Sequence, residues 1–260
     1  MMNDELARRL ELAKATALKQ GQELRSLHGY GVRQKKLNDY VTDADSATER
    51  RIIEAIKAQF PEDGIFGEEN GELCGRSGRW IIDPIDGTVD FFRGIPDYTI
   101  SIAYETKSHE PLLGVVYCVA QDELFWAMEG CGAWVNDKPI HVSDVDDPSR
   151  AILVISPPHR HKELTDRYLE KMKRAFLECS DIRSFGSAAL EMCYIASGRL
   201  DGYFEYGLGY YDFAGGWAIL RQAGGSCISM DSSRGFEDHD NAVIATNGLL
   251  EAWLKEKVGD

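Results

Sequence analysis

Trp80-Ile81-Ile82-Asp83-Pro84-Ile85-Asp86-Gly87-Thr88 is the stretch around which the rest of the chain is arranged. Its apolar start reads as a buried β-strand that delivers two carboxylates at its end. Pro84 has no N–H for a ladder, so the spacing predicts that the chain leaves the sheet there. Gly87 permits an unusual backbone angle or the close approach of a ligand. Thr88 offers a hydroxyl and an amide at a helix start, where anions are favoured. Two neighbouring carboxylates repel each other unless a cation lies between them, and hard oxygen donors of this kind suit Mg²⁺ or Mn²⁺. The plain alternative is a turn in which Asp83 caps and Asp86 faces solvent.

Further acids flank the motif. Gly67-Glu68-Glu69-Asn70 follows a short apolar stretch, Ile65-Phe66; Tyr211-Asp212-Phe213-Ala214-Gly215-Gly216 puts an acid at a helix start, followed by small residues that allow tight packing; Val41-Thr42-Asp43-Ala44-Asp45 opens a helix. Each has an ordinary reading: Glu68 and Glu69 as loop surface, Asp212 as an N-cap, Asp45 as compensation of the helix dipole. A haloacid-dehalogenase-type phosphatase would instead show D-x-D-x-T, with the first Asp as nucleophile. Here the spacing is D-x-x-D, and the extra residue changes the relative direction of the two side chains.

Composition narrows the function classes. The 260 residues carry 43 acidic and 29 basic side chains, a formal net charge of −14, with 43% apolar and 10% aromatic residues. That is globular usage, not that of a disordered chain. A strongly negative chain without a basic patch disfavours nucleic acid and anionic membrane surfaces as partners. No apolar run approaches the roughly 20 residues that span a bilayer. The N-terminal segment mixes charges with Leu6, Leu10, Leu12, Ala13 and Ala17, which predicts an amphipathic helix and not a signal peptide. Cys74, Cys118, Cys131, Cys179, Cys193 and Cys227 are scattered without a C-x-x-C pair. That argues against a zinc site or disulfide scaffold, and reduced thiols in the cytoplasm are the simplest reading.

Periodicity predicts helices over Leu6–Leu27 and about Asp43–Phe60, with Thr42 or Asp43 as cap. Strands follow at Arg79–Asp83, Tyr98–Ala103, Leu112–Val119 and Glu123–Ala127, spaced as antiparallel neighbours. Beyond Ala151 strands and helices alternate: strands at Ile152–Ile155, Asp201–Tyr206 and Ala242–Ala245, helices at Leu164–Phe176, Ser187–Ala196, Asp212–Gln222 and Leu249–Val258. The polar connector Asp144–Ser149 is the expected boundary between an N-terminal α+β portion, 1–145, and a C-terminal α/β portion, 146–260.

Taken in order, G-E-E, then W-I-I-D-P-I-D-G-T, then the distal aromatic-D-x-A-G, resemble the inositol monophosphatase family, the lithium-sensitive, Mg²⁺-dependent sugar-phosphate phosphatases. Tyr40–Asp45, Gly114–Tyr117, Gly130–Trp134 and Gly186–Ala189 resemble family stretches too, so the likeness runs from about Leu6 to the C-terminal helix. The resemblance implies a mixed α/β, layered αβαβα sugar-phosphatase fold and hydrolysis of a small phosphate monoester by a metal-activated water. It implies one metal on Glu68, Asp83 and the main-chain oxygen of Ile85, a second on Asp83, Asp86 and Asp212, and a third, looser one near Glu68. Asp45 and Thr88 would position the attacking water, and the amides of Gly87 and Thr88 would hold phosphate oxygens. Gly186, Ser187 and Ala188 would line the substrate pocket, and Glu205 would bind substrate hydroxyls or else be an exposed strand-end acid. Clustered carboxylates would repel a phosphate dianion, and bound cations reverse that sign. No histidine is required; His28, His109, His141, His159, His161 and His239 show no ligand spacing, and His159-Arg160-His161 reads as a surface loop.

Departures from the family pattern bear on the alcohol. Asn70 stands where Ser is common, Asp90 where Asn is common, Tyr211 replaces Trp, and Gly209 sits where some inositol-specific members carry His. Inositol 1-phosphate is the first expectation. Histidinol phosphate, fructose 1,6-bisphosphate and NADP are rivals, the first supported by Phe92-Arg93-Gly94-Ile95-Pro96. The resemblance also implies a homodimer; the alternative of a different class is a non-catalytic partner of the transcription machinery, a role that would tolerate loss of Asp45 or Thr88, yet both are present.

Overall fold

The computed structural model describes residues 2–27, 29–36, 39–106 and 110–259. His28 and His109 therefore lie outside the described residues. Helix α1 (Met2–Ser26) leads into a charged hairpin, β1 (Val32–Lys36) and β2 (Asp39–Thr42), and then α2 (Asp43–Gln59). Thr42 caps α2, and the N3 residue Asp45 reaches back to the Thr42 amide at 2.8 Å. This capping box turns a first-turn acid into a fixed one.

An eight-stranded sheet follows: β3 (Gly64–Gly67), β4 (Gly71–Leu73), β5 (Arg79–Asp86), β6 (Thr99–Glu105), β7 (Pro111–Cys118), β8 (Glu123–Met128), β9 (Ala133–Val135) and β10 (Lys138–Ile140). Its order is β10-β9-β8-β7-β6-β5-β3-β4, and only β3 and β5 run parallel. Between β5 and β6 lies the short helix α3 (Thr88–Arg93). The second sheet has five strands: β11 (Ile152–Ile155), β12 (Asp181–Arg183), β13 (Gly202–Leu208), β14 (Ser226–Ser229) and β15 (Asn241–Thr246), in the order β12-β11-β13-β15-β14. Helices α4 (Thr165–Phe176), α5 (Ala188–Ala196), α6 (Tyr210–Gln222) and α7 (Glu251–Val258) complete the chain.

The layers are αβαβα. Helices α1 and α2 cover one face of the large sheet, α5 and α6 lie between the two sheets, and α4 and α7 pack together on the outer side of the small one. Burial on both faces explains why β5 carries an unbroken apolar run instead of alternating: Trp80, Ile81 and Ile82 are all enclosed, as is Ile85 further on. The middle layer is tight because its helix carries glycine. A Cβ on Gly215 would lie 2.4 Å from Ser101 Oγ, and one on Gly114 would lie 2.4 Å from the Gly215 carbonyl. Among the described residues no helix is long and apolar enough to cross a membrane, and the six cysteines are free thiols.

One expectation is corrected. The strand does not stop at Pro84: β5 continues to Asp86 through a bulge, with Asp83 opposite Ser101 and Asp86 opposite Thr99. The bulge is where a residue without an N–H can sit. It also has a geometric effect. Three steps along β5 match two along β6, so the parity of the pleat is restored and Asp83 and Asp86 face the same side.

Candidate metal and phosphate site

The bulged end of β5 opens into a cavity of about 460 Å³. Its floor holds Glu68, Asp83, Ile85, Asp86 and Asp212, with Gly87 and Thr88 beside them. Two acid triplets form here: Asp83, Asp86 and Asp212 in one, Asp45, Glu68 and Glu69 in the other. In each, the ligand oxygens lie within 4.8 Å of one another. Four segments distant in the chain thus converge on one place.

Local bonds hold each acid. Asp83 Oδ1 accepts from the Ile85 amide at 3.0 Å. Asp86 Oδ2 accepts from the Ser187 hydroxyl at 2.7 Å and the Ala189 amide at 2.8 Å, which ties β5 to the start of α5. Asp212, the N3 residue of α6, accepts from the Gly209 amide at 2.7 Å. Gly209 and not Asp212 is therefore the N-cap, and α6 starts two residues earlier than the sequence predicts. Thr88 Oγ1 lies 3.1 Å from both Asp45 Oδ1 and the Ile85 carbonyl. The other oxygen of Asp45 accepts from the amide and the hydroxyl of Thr42. Gly87 has φ 90°, and a Cβ there would meet the Asp97 carbonyl at 2.8 Å, so glycine alone suits this turn.

The electrostatics fit a cation. Burial pushes the Asp83 carboxyl well above its usual range, and Glu68, Asp86 and Asp212 add to the effect. Burial and the neighbouring Asp212 raise Asp86 to about 7. Burial raises Glu68 to about 8, against the pull of Lys35. Acids packed this closely cannot all ionise without added positive charge. The donor set is all oxygen, which matches a hard divalent ion. Glu68, Asp83, Ile85, Asp86 and Asp212 are in position to hold such ions.

Several expected residues take other places. Ser187 does not line the cavity; it is fully buried, caps α5 and serves Asp86. Gly186, Ala188 and Glu205 do line it. Glu205 is buried, accepts a short hydrogen bond from the Tyr203 hydroxyl, and is raised well above its usual range by burial and by Glu191. His159 is exposed yet lines the cavity, as does Arg160, so the segment that reads as a surface loop forms part of the cavity wall.

Other participants were not legible. Glu69, in a stretch that reads as loop surface, joins Asp45 and Glu68 in one acid triplet. Lys35 pairs with Glu68 at 3.3 Å and more closely with Glu69. Glu49 is wholly buried and accepts from the Glu69 amide at 2.7 Å and from the Asn70 amide and side chain at 3.0 Å. It anchors the G-E-E loop from α2. One signal was available: Glu49 lies one helical turn beyond Asp45, on the face that buries Ile52 and Ile56. Glu191, also fully buried, accepts from Ser156 Oγ at 3.1 Å, the Phe185 amide at 2.9 Å and the Gly186 amide at 3.2 Å, fixing the wall those residues form.

The layered αβαβα body is shared with solved structures. The extragenic suppressor protein suhB from Bartonella henselae superposes with a TM-score of 0.88 at 30% identity, covering 96% of this chain and 98% of that one. Inositol monophosphatase from Anabaena (Nostoc) gives 0.86 at 31%, covering 97% and 96%. The Nus factor SuhB of Pasteurella multocida is 37% identical over 224 residues, 85% of this chain and 84% of its own length. The profile of the inositol monophosphatase family matches residues 3–259, and the chain belongs to that family.

Proposed function

We propose that this protein is a Mg²⁺-dependent hydrolase of a small phosphate monoester, with myo-inositol 1-phosphate the first candidate. The observation that carries the reading is the convergence of Asp83, Asp86 and Asp212 with Asp45, Glu68 and Glu69 beside the Gly87–Thr88 turn. Two or three magnesium ions, with manganese as a substitute, would supply the positive charge that a phosphate dianion needs here and would acidify the attacking water. Glu68, Asp83, Asp86, Asp212 and the Ile85 carbonyl are the proposed ligands.

The remaining residues orient and move protons. The Thr88 hydroxyl can give its proton to Asp45 Oδ1 and use its oxygen to receive one from water. Asp45 cannot swing away, because Thr42 occupies its other oxygen. The amides of Gly87 and Thr88 are proposed to hold phosphate oxygens as the ester bond to the alcohol breaks. Glu205, stiffened by Tyr203, and the wall at Gly186 and Ala188 are proposed to hold the alcohol hydroxyls. Ser187 acts by holding Asp86. Family resemblance supports a homodimer, and free thiols support the cytoplasm.

The test is phosphate release from inositol 1-phosphate, histidinol phosphate, fructose 1,6-bisphosphate and NADP, with and without Mg²⁺. Turnover should require the metal and fall by several orders of magnitude in D83N. Metal-independent turnover, or an active D83N, would overturn the assignment. Glu205→Gln should raise KM for the polyol ester more than for an ester whose alcohol has no hydroxyls. A second reading rests on the relatives named Nus factor: the chain would then serve the transcription machinery, and D83N would retain that role while losing turnover.

A further inference from the structure

We propose that Arg160 binds an oxygen of the transferred phosphoryl group, a contact beyond the metal ligands and the Gly87–Thr88 turn. The proposal rests on the phosphatase reading above. The turn after β11 brings the Arg160 guanidinium to the cavity wall, with one terminal nitrogen 3.8 Å from Asp212 Oδ2 and the other 3.8 Å from Asp39 Oδ1. Neither distance is a hydrogen bond. Its Nε is enclosed and has no hydrogen-bond partner. A buried donor left unmade is costly, and few persist without a reason.

Elsewhere in the protein a resident counter-ion looks different. Arg9 meets Asp63 through two parallel bonds, Nε to Oδ2 at 2.8 Å and Nη2 to Oδ1 at 2.9 Å. Arg199 meets Glu123 through its two terminal nitrogens, each at 2.6 Å from one carboxylate oxygen. Arg160 is attracted by two carboxylates yet bonded to neither, and its side chain stays 33% exposed. Asp212 and Asp39 therefore aim the fork without saturating it. The planar donor set matches two oxygens of a phosphoryl group, and the cavity is the space in front of it. Once divalent ions answer the charge of Asp212, the strongest remaining attraction for the guanidinium is the phosphate dianion.

The test uses inorganic phosphate as the probe and calorimetry as the readout, on the full chain loaded with Mg²⁺. R160Q and R160K are compared with the natural protein, with thermal melting as a check on folding. The expected result is a phosphate Kd raised roughly ten- to hundredfold in R160Q, partial recovery in R160K, and a Mg²⁺ Kd changed by less than about threefold. Unchanged phosphate affinity in both variants would overturn the proposal. So would a large gain in Mg²⁺ affinity with phosphate binding intact, since Arg160 would then be only a counter-ion. If the natural protein fails to bind phosphate in the presence of Mg²⁺, the phosphatase reading itself falls. If it binds and R160Q binds equally, the Arg160 assignment alone falls.

Discussion

Thr88 and Asp45 stand 43 residues apart in the chain, and the Thr88 hydroxyl lies 3.1 Å from Asp45 Oδ1. The two differ in what else they do. Asp45 also closes the capping box of α2, whereas Thr88 has no such duty. Thr88→Val should therefore lower kcat by about 10²–10⁴-fold with melting almost unchanged. Asp45→Asn should lower kcat similarly and also cost about 1 kcal/mol of stability. Steady-state kinetics beside urea unfolding would separate the two. Equal kcat in Thr88→Val and the natural protein would remove Thr88 from the proton route.

Metal removal should make stability pH-dependent. Burial first, then neighbouring acids, raises Glu68 to about 8 and Asp86 to about 7; burial raises Glu191 to about 8. Unfolded carboxylates titrate near 4. The folded state then binds more protons than the unfolded state between about pH 4.5 and 8, so stability falls as pH rises through that window. In EDTA the melting temperature should drop by roughly 5 °C or more from pH 5.5 to 8. Magnesium should restore most of the loss at pH 8, because the ionised acids are its ligands. A flat profile in EDTA would show that the acids are not crowded as described.

Glu49 touches the G-E-E loop and not the cavity, so its effect should appear in metal affinity. Glu49→Gln loses a charged acceptor for the Glu69 and Asn70 amides. The Mg²⁺ concentration for half-maximal activity should rise roughly tenfold, with kcat at saturating Mg²⁺ nearly unchanged. A fall in kcat that added Mg²⁺ cannot recover would assign Glu49 a different role.

The middle helix layer offers a stability test away from the chemistry. Gly215→Ala places a methyl carbon 2.4 Å from Ser101 Oγ, which forces α6 from the large sheet. A loss of about 1–3 kcal/mol is expected, measured by denaturant unfolding. No loss would mean that helix and sheet separate more easily than their packing implies.

Much of this was legible from the sequence because the strongest signals were local. Helix α2 with a cap at Thr42, one of the two residues expected there, the antiparallel run from β5 to β8, and most of α6 follow from periodicity and turn chemistry. The acids of the floor were legible as motifs. What escaped reading depends on contacts between distant segments. The hairpin β1–β2 carries Val-Arg-Gln-Lys-Lys, which has no strand alternation, yet it places Lys35 on the G-E-E loop. Arg160 lies in a polar turn whose inward direction is set by Asp212 and Asp39, more than fifty and more than one hundred residues away. Pro84 reads as a strand terminator because its missing donor is a local fact, whereas the bulge that accommodates it is a property of two strands.

That bulge makes the spacing of the motif as binding as its composition. Deleting a single residue between Asp83 and Asp86 would leave every acid in the chain, but it would turn one carboxylate to the opposite side of the sheet, into the apolar packing beneath α2. Substitutions at Ile85 can be absorbed by repacking; a change in its count cannot. Insertions and deletions there should be far less tolerated than replacements, and a deep scan of the segment that accepted both equally would contradict the geometry.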